Sequence, residues 1–165
     1  MSYDFNAKEV FEMAIRIEEN GAAFYRKAAG LQSDESNRDL LNKLATMEDA
    51  HKVSFVDMQQ HVTEAEQRKT VFDPNNELSL YLNAMADLHG GEGSPAAADA
   101  LTGKETMEEI VATAIGLEKE SILFYLGLRD FVPPKLGRDK IDEIIKEERK
   151  HIAQLNAVLN KMKTG

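Results

Sequence analysis

The chain has 165 residues, 42% hydrophobic and 30% charged, the composition of one soluble globular domain over 1–165. Its 29 acidic residues outnumber 20 Lys and Arg, and the net charge of −9 argues against nucleic-acid binding. The absence of cysteine excludes disulfides, thiolate catalysis, zinc ribbons and cysteine-ligated iron. Residues 1–10 lack the basic and apolar pattern of a secretory signal, and the longest apolar run, 110–117, is too short to span a bilayer. These features predict a cytoplasmic protein with no membrane partner.

The first predicted helix covers residues 7–29, where apolar side chains recur at helical spacing. Asn6 and Glu9 form a capping-box pattern, Phe5 and Val10 the matching hydrophobic staple, and Gly30 is placed to close the helix as its C′ residue. A second helix is expected over 34–62. The connection that follows, 63–105, is long and carries a short amphipathic segment at 76–88 with Leu78, Tyr81, Leu82, Met85 and Leu88 on one side. The Gly-rich stretch at 90–98 is expected to be a flexible loop. A third helix over 107–131 begins with Thr106 and Glu109 as a second capping box and stops before Pro133-Pro134. A fourth covers 138–162. Short turns within each pair and a long link between pairs predict an all-α fold: a four-helix bundle of two antiparallel hairpins joined by a crossover with a short extra helix.

The two hairpins repeat. Ala14, Ile15, Ile17, Glu18, Phe24 and Tyr25 match Ala114, Ile115, Leu117, Glu118, Phe124 and Tyr125, an offset of 100 residues from Glu18 to Glu118. The same offset pairs Leu41, Leu44, Glu48 and His51 with Ile141, Ile144, Glu148 and His151. Apolar matches are what any two helices share, so the polar ones discriminate. Neighbouring positions drift: Glu19 aligns with Lys119, Asn20 with Glu120, and Met47 with Glu147.

Helical stepping places all four repeated glutamates on apolar faces. Glu18 lies among Ala14, Ile15, Ala22 and Tyr25, and Glu48 among Leu41, Leu44, Ala45 and Phe55. Glu118 lies among Ala114, Ile115, Ile122 and Tyr125, and Glu148 among Ile141, Ile144, Ile145, Ile152 and Leu155. His51 and His151 follow their glutamates by three residues, on the same face. Each unpaired buried charge costs several kcal/mol, so four carboxylates in one core need compensation. Protonation supplies part of it. Two divalent cations neutralise four carboxylates, and oxygen donors with one imidazole per ion suit iron, manganese or zinc.

Glu18, Glu48-x-x-His51, Glu118 and Glu148-x-x-His151 resemble the ligand set of the ferritin-like di-iron carboxylate superfamily, specifically rubrerythrin-like proteins without a rubredoxin domain. The resemblance implies two iron ions bridged by Glu48 and Glu148, with Glu18 and Glu118 as terminal ligands. It implies oxidation of Fe(II) or reduction of peroxide or O2, in oxidative-stress or iron handling. Without cysteine the chain lacks the family's rubredoxin iron, so electrons must come from an external donor protein. Where peroxide-reducing relatives carry an extra glutamate, this chain has Ser121, and Gly21 in the first repeat. The alternative function is non-catalytic binding, buffering or sensing of iron or another divalent metal; a third reading is a purely structural bundle. Tyr25 and Tyr125 lie two turns after their glutamates, either bonding a ligand carboxylate or donating an electron, or serving as core aromatics. His61 and His89 have no repeat counterpart and are expected at the surface. The apolar face of the crossover segment needs covering, by the bundle or by a second subunit, and a homodimer is expected.

Overall fold

The computed structural model describes residues 6–65, 67, 73–89 and 96–165, and these contain helices and turns but no strand. Helix α1 spans Ala7–Gly30 and α2 spans Glu35–Gln60. In the crossover, α3 spans Glu77–His89 and a single helical turn, α4, spans Ala96–Asp99. Helix α5 spans Met107–Phe131, a 3-10 turn spans Pro134–Leu136, and α6 spans Arg138–Thr164.

Local chemistry sets these boundaries. Both capping boxes form: Asn6 accepts from the Glu9 amide while Glu9 accepts from the Asn6 amide at 2.8 Å, and Thr106 and Glu109 repeat the exchange. Asp34 caps α2 through the Asn37 amide at 2.8 Å. Gly30 departs from expectation. It is the last residue of α1, and Leu31 closes the helix in right-handed conformation through a bond to the Ala28 carbonyl. A left-handed glycine is found instead at Gly137, with φ +100°, which turns the chain from the 3-10 segment into α6. Phe5, the other half of the predicted staple, lies outside the described residues, as does 90–95 of the Gly-rich stretch; Ala96–Ala98 belong to α4.

Helices α1 and α2 pack along each other, as do α5 and α6; across the hairpins α1 meets α5 and α2 meets α6. Two apolar clusters fill the interior. One joins the start of α1 (Val10, Phe11, Ala14) to the end of α2 (Phe55, Met58), the end of α5 (Phe124, Leu128) and the start of α6 (Ile141, Ile144, Ile145). The other joins the end of α1 (Phe24, Ala28) to the start of α2 (Leu41, Leu44), the start of α5 (Ile110, Ala114) and the end of α6 (Leu155). The paired helices within each hairpin are therefore antiparallel, and so are the two repeats to each other. Between the two clusters, at the middle of every bundle helix, lie the repeated glutamates.

The crossover docks on its own bundle. Buried Asp73 accepts from the amides of Leu78 and Ser79 and so starts α3, while Leu78 and Leu82 enter the first apolar cluster. The side chains of Met85, Leu88 and His89 lie outside the described residues. Tyr81 lies across α5, its hydroxyl donating to the Leu123 carbonyl at 2.5 Å. Gly127 makes this approach feasible, because a Cβ there would stand 2.5 Å from the Tyr81 ring. Gly127→Ala should therefore lower stability by about 1–3 kcal/mol through overpacking. Gly116→Ala, in the same helix with nothing within 4 Å of the added carbon, should gain up to about 1 kcal/mol from helix propensity. Thermal unfolding of the two variants checks this opposite pair of signs.

Candidate metal centre

All six predicted ligand residues meet at the middle of the bundle, each no more than 4% exposed. Their donor atoms form two overlapping groups: Glu18, Glu48, His51 and Glu148 in one, Glu48, Glu118, Glu148 and His151 in the other. Glu48 and Glu148 belong to both. Glu148 points Oε1 at His51 Nδ1 (3.1 Å) and Oε2 at His151 Nδ1 (2.9 Å). Glu48 divides its oxygens the other way, Oε2 at 3.7 Å from His51 Nδ1 and Oε1 at 3.3 Å from His151 Nδ1. Of the two histidines, Glu18 approaches only His51 (3.4 Å) and Glu118 only His151 (3.4 Å). The two imidazoles are stacked, with ring centroids 5.7 Å apart and planes 21° apart.

These contacts are close but poorly aligned for hydrogen bonding. Glu18 Oε2, Glu48 Oε1, both oxygens of Glu148 and the Nδ1 atoms of both histidines are buried without a hydrogen-bond partner. The donors thus converge on two central points rather than on one another. A first-row divalent ion lies about 2.0–2.2 Å from nitrogen and carboxylate ligands, which holds its donors within about 4.4 Å of one another. Within each group the donor atoms lie within 4.8 Å. Small side-chain adjustments would close each group on one ion, and the hard oxygen and imidazole donor set fits Fe(II), Mn(II) or Zn(II).

Without cations, protons fill the same electrostatic role. Burial pushes Glu18 well above the usual carboxylate range, helped by the nearby Glu48, and lifts Glu118 to about 8. Burial opposes the charging of both histidines, but the surrounding carboxylates overcome it: His151 is pushed up to about 11, and His51 is raised as well. Burial also works against Glu48 and Glu148, yet the Glu18 carboxyl beside Glu48, and the two imidazoliums beside both, hold them below the usual range. Two imidazoliums then balance two carboxylates, with two carboxylic acids beside them. Four protons stand where two divalent ions would supply the same charge.

The two tyrosines bond predicted ligand glutamates, but not those of their own helices. The Tyr25 hydroxyl donates to Glu118 Oε1 and the Tyr125 hydroxyl to Glu18 Oε1, a reciprocal exchange between hairpins. Both phenols are pushed well above their ordinary pKa by burial and by the neighbouring carboxylates, which keeps them as donors. Tyr125 is also packed against Phe55 and Phe124. His61 is exposed on α2, its Nδ1 2.7 Å from the Asp57 carbonyl, and takes no part in the centre.

One residue beside the centre escapes sequence reasoning. Glu147 places Oε2 2.6 Å from Nε2 of His51, across the bundle from its own helix. The repeat puts Met47 at the corresponding position, so the offset marks Glu147 as drift. Nothing in the periodicity of one helix signals a bond to the other hairpin.

No protein-family model matches the sequence, and no curated protein matches it significantly. Among solved structures, the chain is similar to a crystal structure from Thermotoga maritima provisionally described as a ferritin-like diiron-carboxylate protein. The two share 20% sequence identity with a TM-score of 0.72, over 98% of this chain and 99% of that one. The fold is therefore ferritin-like. Among the described residues no helix is long and apolar enough to cross a membrane.

Proposed function

We propose that this chain is a di-iron carboxylate protein of the rubrerythrin-like type, which oxidises Fe(II) or reduces peroxide or O2 with electrons from an external donor protein. The observation that carries the reading is the pair of overlapping buried Glu/His groups that share Glu48 and Glu148. In it Glu48 and Glu148 would be shared by two ions, Glu18 with His51 and Glu118 with His151 would complete the two positions, and Tyr125 and Tyr25 orient Glu18 and Glu118 by hydrogen bonds. When bound, two ferrous ions would supply the two electrons that reduce peroxide to water. The protein's own contribution is to fix the carboxylates, keep both phenols protonated as hydrogen-bond donors and seal the centre between two apolar layers. A cytoplasmic location, a single domain and pairing of two copies belong to the same proposal.

A second reading, metal binding for buffering or sensing, is favoured by one observation: the chain has no cysteine, so it carries no thiolate-ligated iron to relay electrons. Reconstitution followed by elemental analysis should give about two metal ions per chain, from the six-ligand count. A value near zero overturns both readings. Adding H2O2 to the anaerobic ferrous protein, followed by stopped-flow absorbance, separates them. Rapid oxidation that an added donor reverses supports the enzyme; unreactive iron supports the buffer.

A further inference from the structure

We propose that Glu147 makes the two cation positions inequivalent, so that the position built from Glu18, Glu48, His51 and Glu148 fills before the one built from Glu118, Glu48, His151 and Glu148. The inference rests on the metal reading above and adds an order of filling to it.

The direct ligands give no reason for such an order. Each position has one terminal glutamate, one histidine through Nδ1 and a share of both bridging glutamates. Each terminal glutamate accepts a hydrogen bond from a tyrosine of the opposite hairpin. The asymmetry begins behind the imidazoles. His51 Nε2 has Glu147 Oε2 at 2.6 Å, whereas His151 Nε2 is fully buried with no hydrogen-bond partner.

A carboxylate that accepts the remote N–H of a metal-binding imidazole does two things. It fixes the tautomer that leaves the other nitrogen free to bind, and it makes that nitrogen more basic; removing such a partner costs typically about 10–100-fold in metal affinity. His51 has this support with Nδ1 turned inward, and His151 does not. The side chain of Glu147 is 42% exposed, so its bare charge is partly screened by water and the directional bond is the larger effect. The repeat cannot restore symmetry, because position 47, which matches 147, holds methionine.

The test uses the whole chain, stripped of metal and titrated with Mn(II). Calorimetry should show two binding steps separated by about 10–100-fold. Anomalous diffraction from crystals given one equivalent should place manganese on the His51 side. Glu147→Met should weaken the first step by about the same factor and spread one equivalent over both positions. Met47→Glu, which places a carboxylate at the matching position of the other hairpin, should strengthen the second step and also bring the two together. Wild-type protein that binds two ions with equal occupancy at one equivalent, or fills the His151 side first, overturns the inference while leaving the metal reading intact. So does a Glu147→Met variant that melts like wild type and keeps the order of filling. Wild-type protein that binds no manganese or iron overturns the metal reading itself.

Discussion

Alanine at position 148 is expected to empty both cation positions, whereas alanine at 18 or 118 should empty one. The geometry sets this ranking. The Glu148 oxygens approach the two histidines separately, at 3.1 and 2.9 Å, so a single substitution removes a donor and a negative charge from both groups at once. Glu18 belongs to the His51 group alone and Glu118 to the His151 group alone. Loss of a partner behind a ligand already costs about 10–100-fold in affinity, and loss of a direct bridging ligand should exceed about 100-fold. Metal content should fall from about two ions per chain to near zero in Glu148→Ala, and to about one in Glu118→Ala. A stability readout follows the same ranking. A ligand present at about 100 times its Kd stabilises the folded state by about 2.7 kcal/mol, and Glu148→Ala should lose that metal-dependent gain entirely. Glu120→Ala, on the exposed side of the same turn as Glu118, should bind metal like wild type. Loss of metal in Glu120→Ala with retention in Glu118→Ala would contradict the geometry of the centre.

Metal-free protein is expected to lose stability as pH rises from 6.5 to 8, and metal-loaded protein is not. Glu118 has an ordinary value of 4.5 and about 8 in the fold; His151 has 6.5 and about 11. Between pH 6.5 and 8 the unfolded chain has released both protons while the folded chain still holds them. The folded state then binds more protons than the unfolded one, so raising the pH favours unfolding. The stability that His151 provides is complete below pH 6.5 and is lost as pH rises through about 11; the cost of ionising Glu118 grows from pH 4.5 to about 8. The two protons retained over this interval together correspond to about 4 kcal/mol, at about 1.4 kcal/mol per proton and pH unit. For a chain of this size that lowers the melting temperature by about 8–16 °C. Bound cations replace those protons, and their affinity rises with pH as proton competition fades, so the loaded protein should hold or gain stability over the same range. Melting curves at four or five pH values, with and without metal, distinguish the two. A flat metal-free profile would mean that the buried cluster does not retain its protons.

Both predictions depend on residues that the sequence singles out before any coordinates exist. Glu18, Glu48, Glu118 and Glu148 are visible because a carboxylate on the apolar face of a helix contradicts the helix's own periodicity, and the 100-residue offset shows the contradiction made twice. The capping boxes at Asn6 and Thr106 are legible because they are exchanges within four residues. Gly30 misleads for the complementary reason: a helix end can close without a left-handed residue, and here Leu31 closes it through backbone bonds alone. Glu147 is invisible because its partner, His51, is 96 residues away on the other hairpin.

The sequence by itself determined the four bundle helices, the repeat and the six side chains turned inward, because helical period and position along one chain decide which face a residue occupies. Tertiary structure alone decided that Tyr25 bonds Glu118 and Tyr125 bonds Glu18, that Tyr81 rests on Gly127, and that Glu147 supports one histidine and not its twin. Those contacts depend on the relative depth and rotation of packed helices, which the packing of both apolar clusters sets together and no single helix encodes.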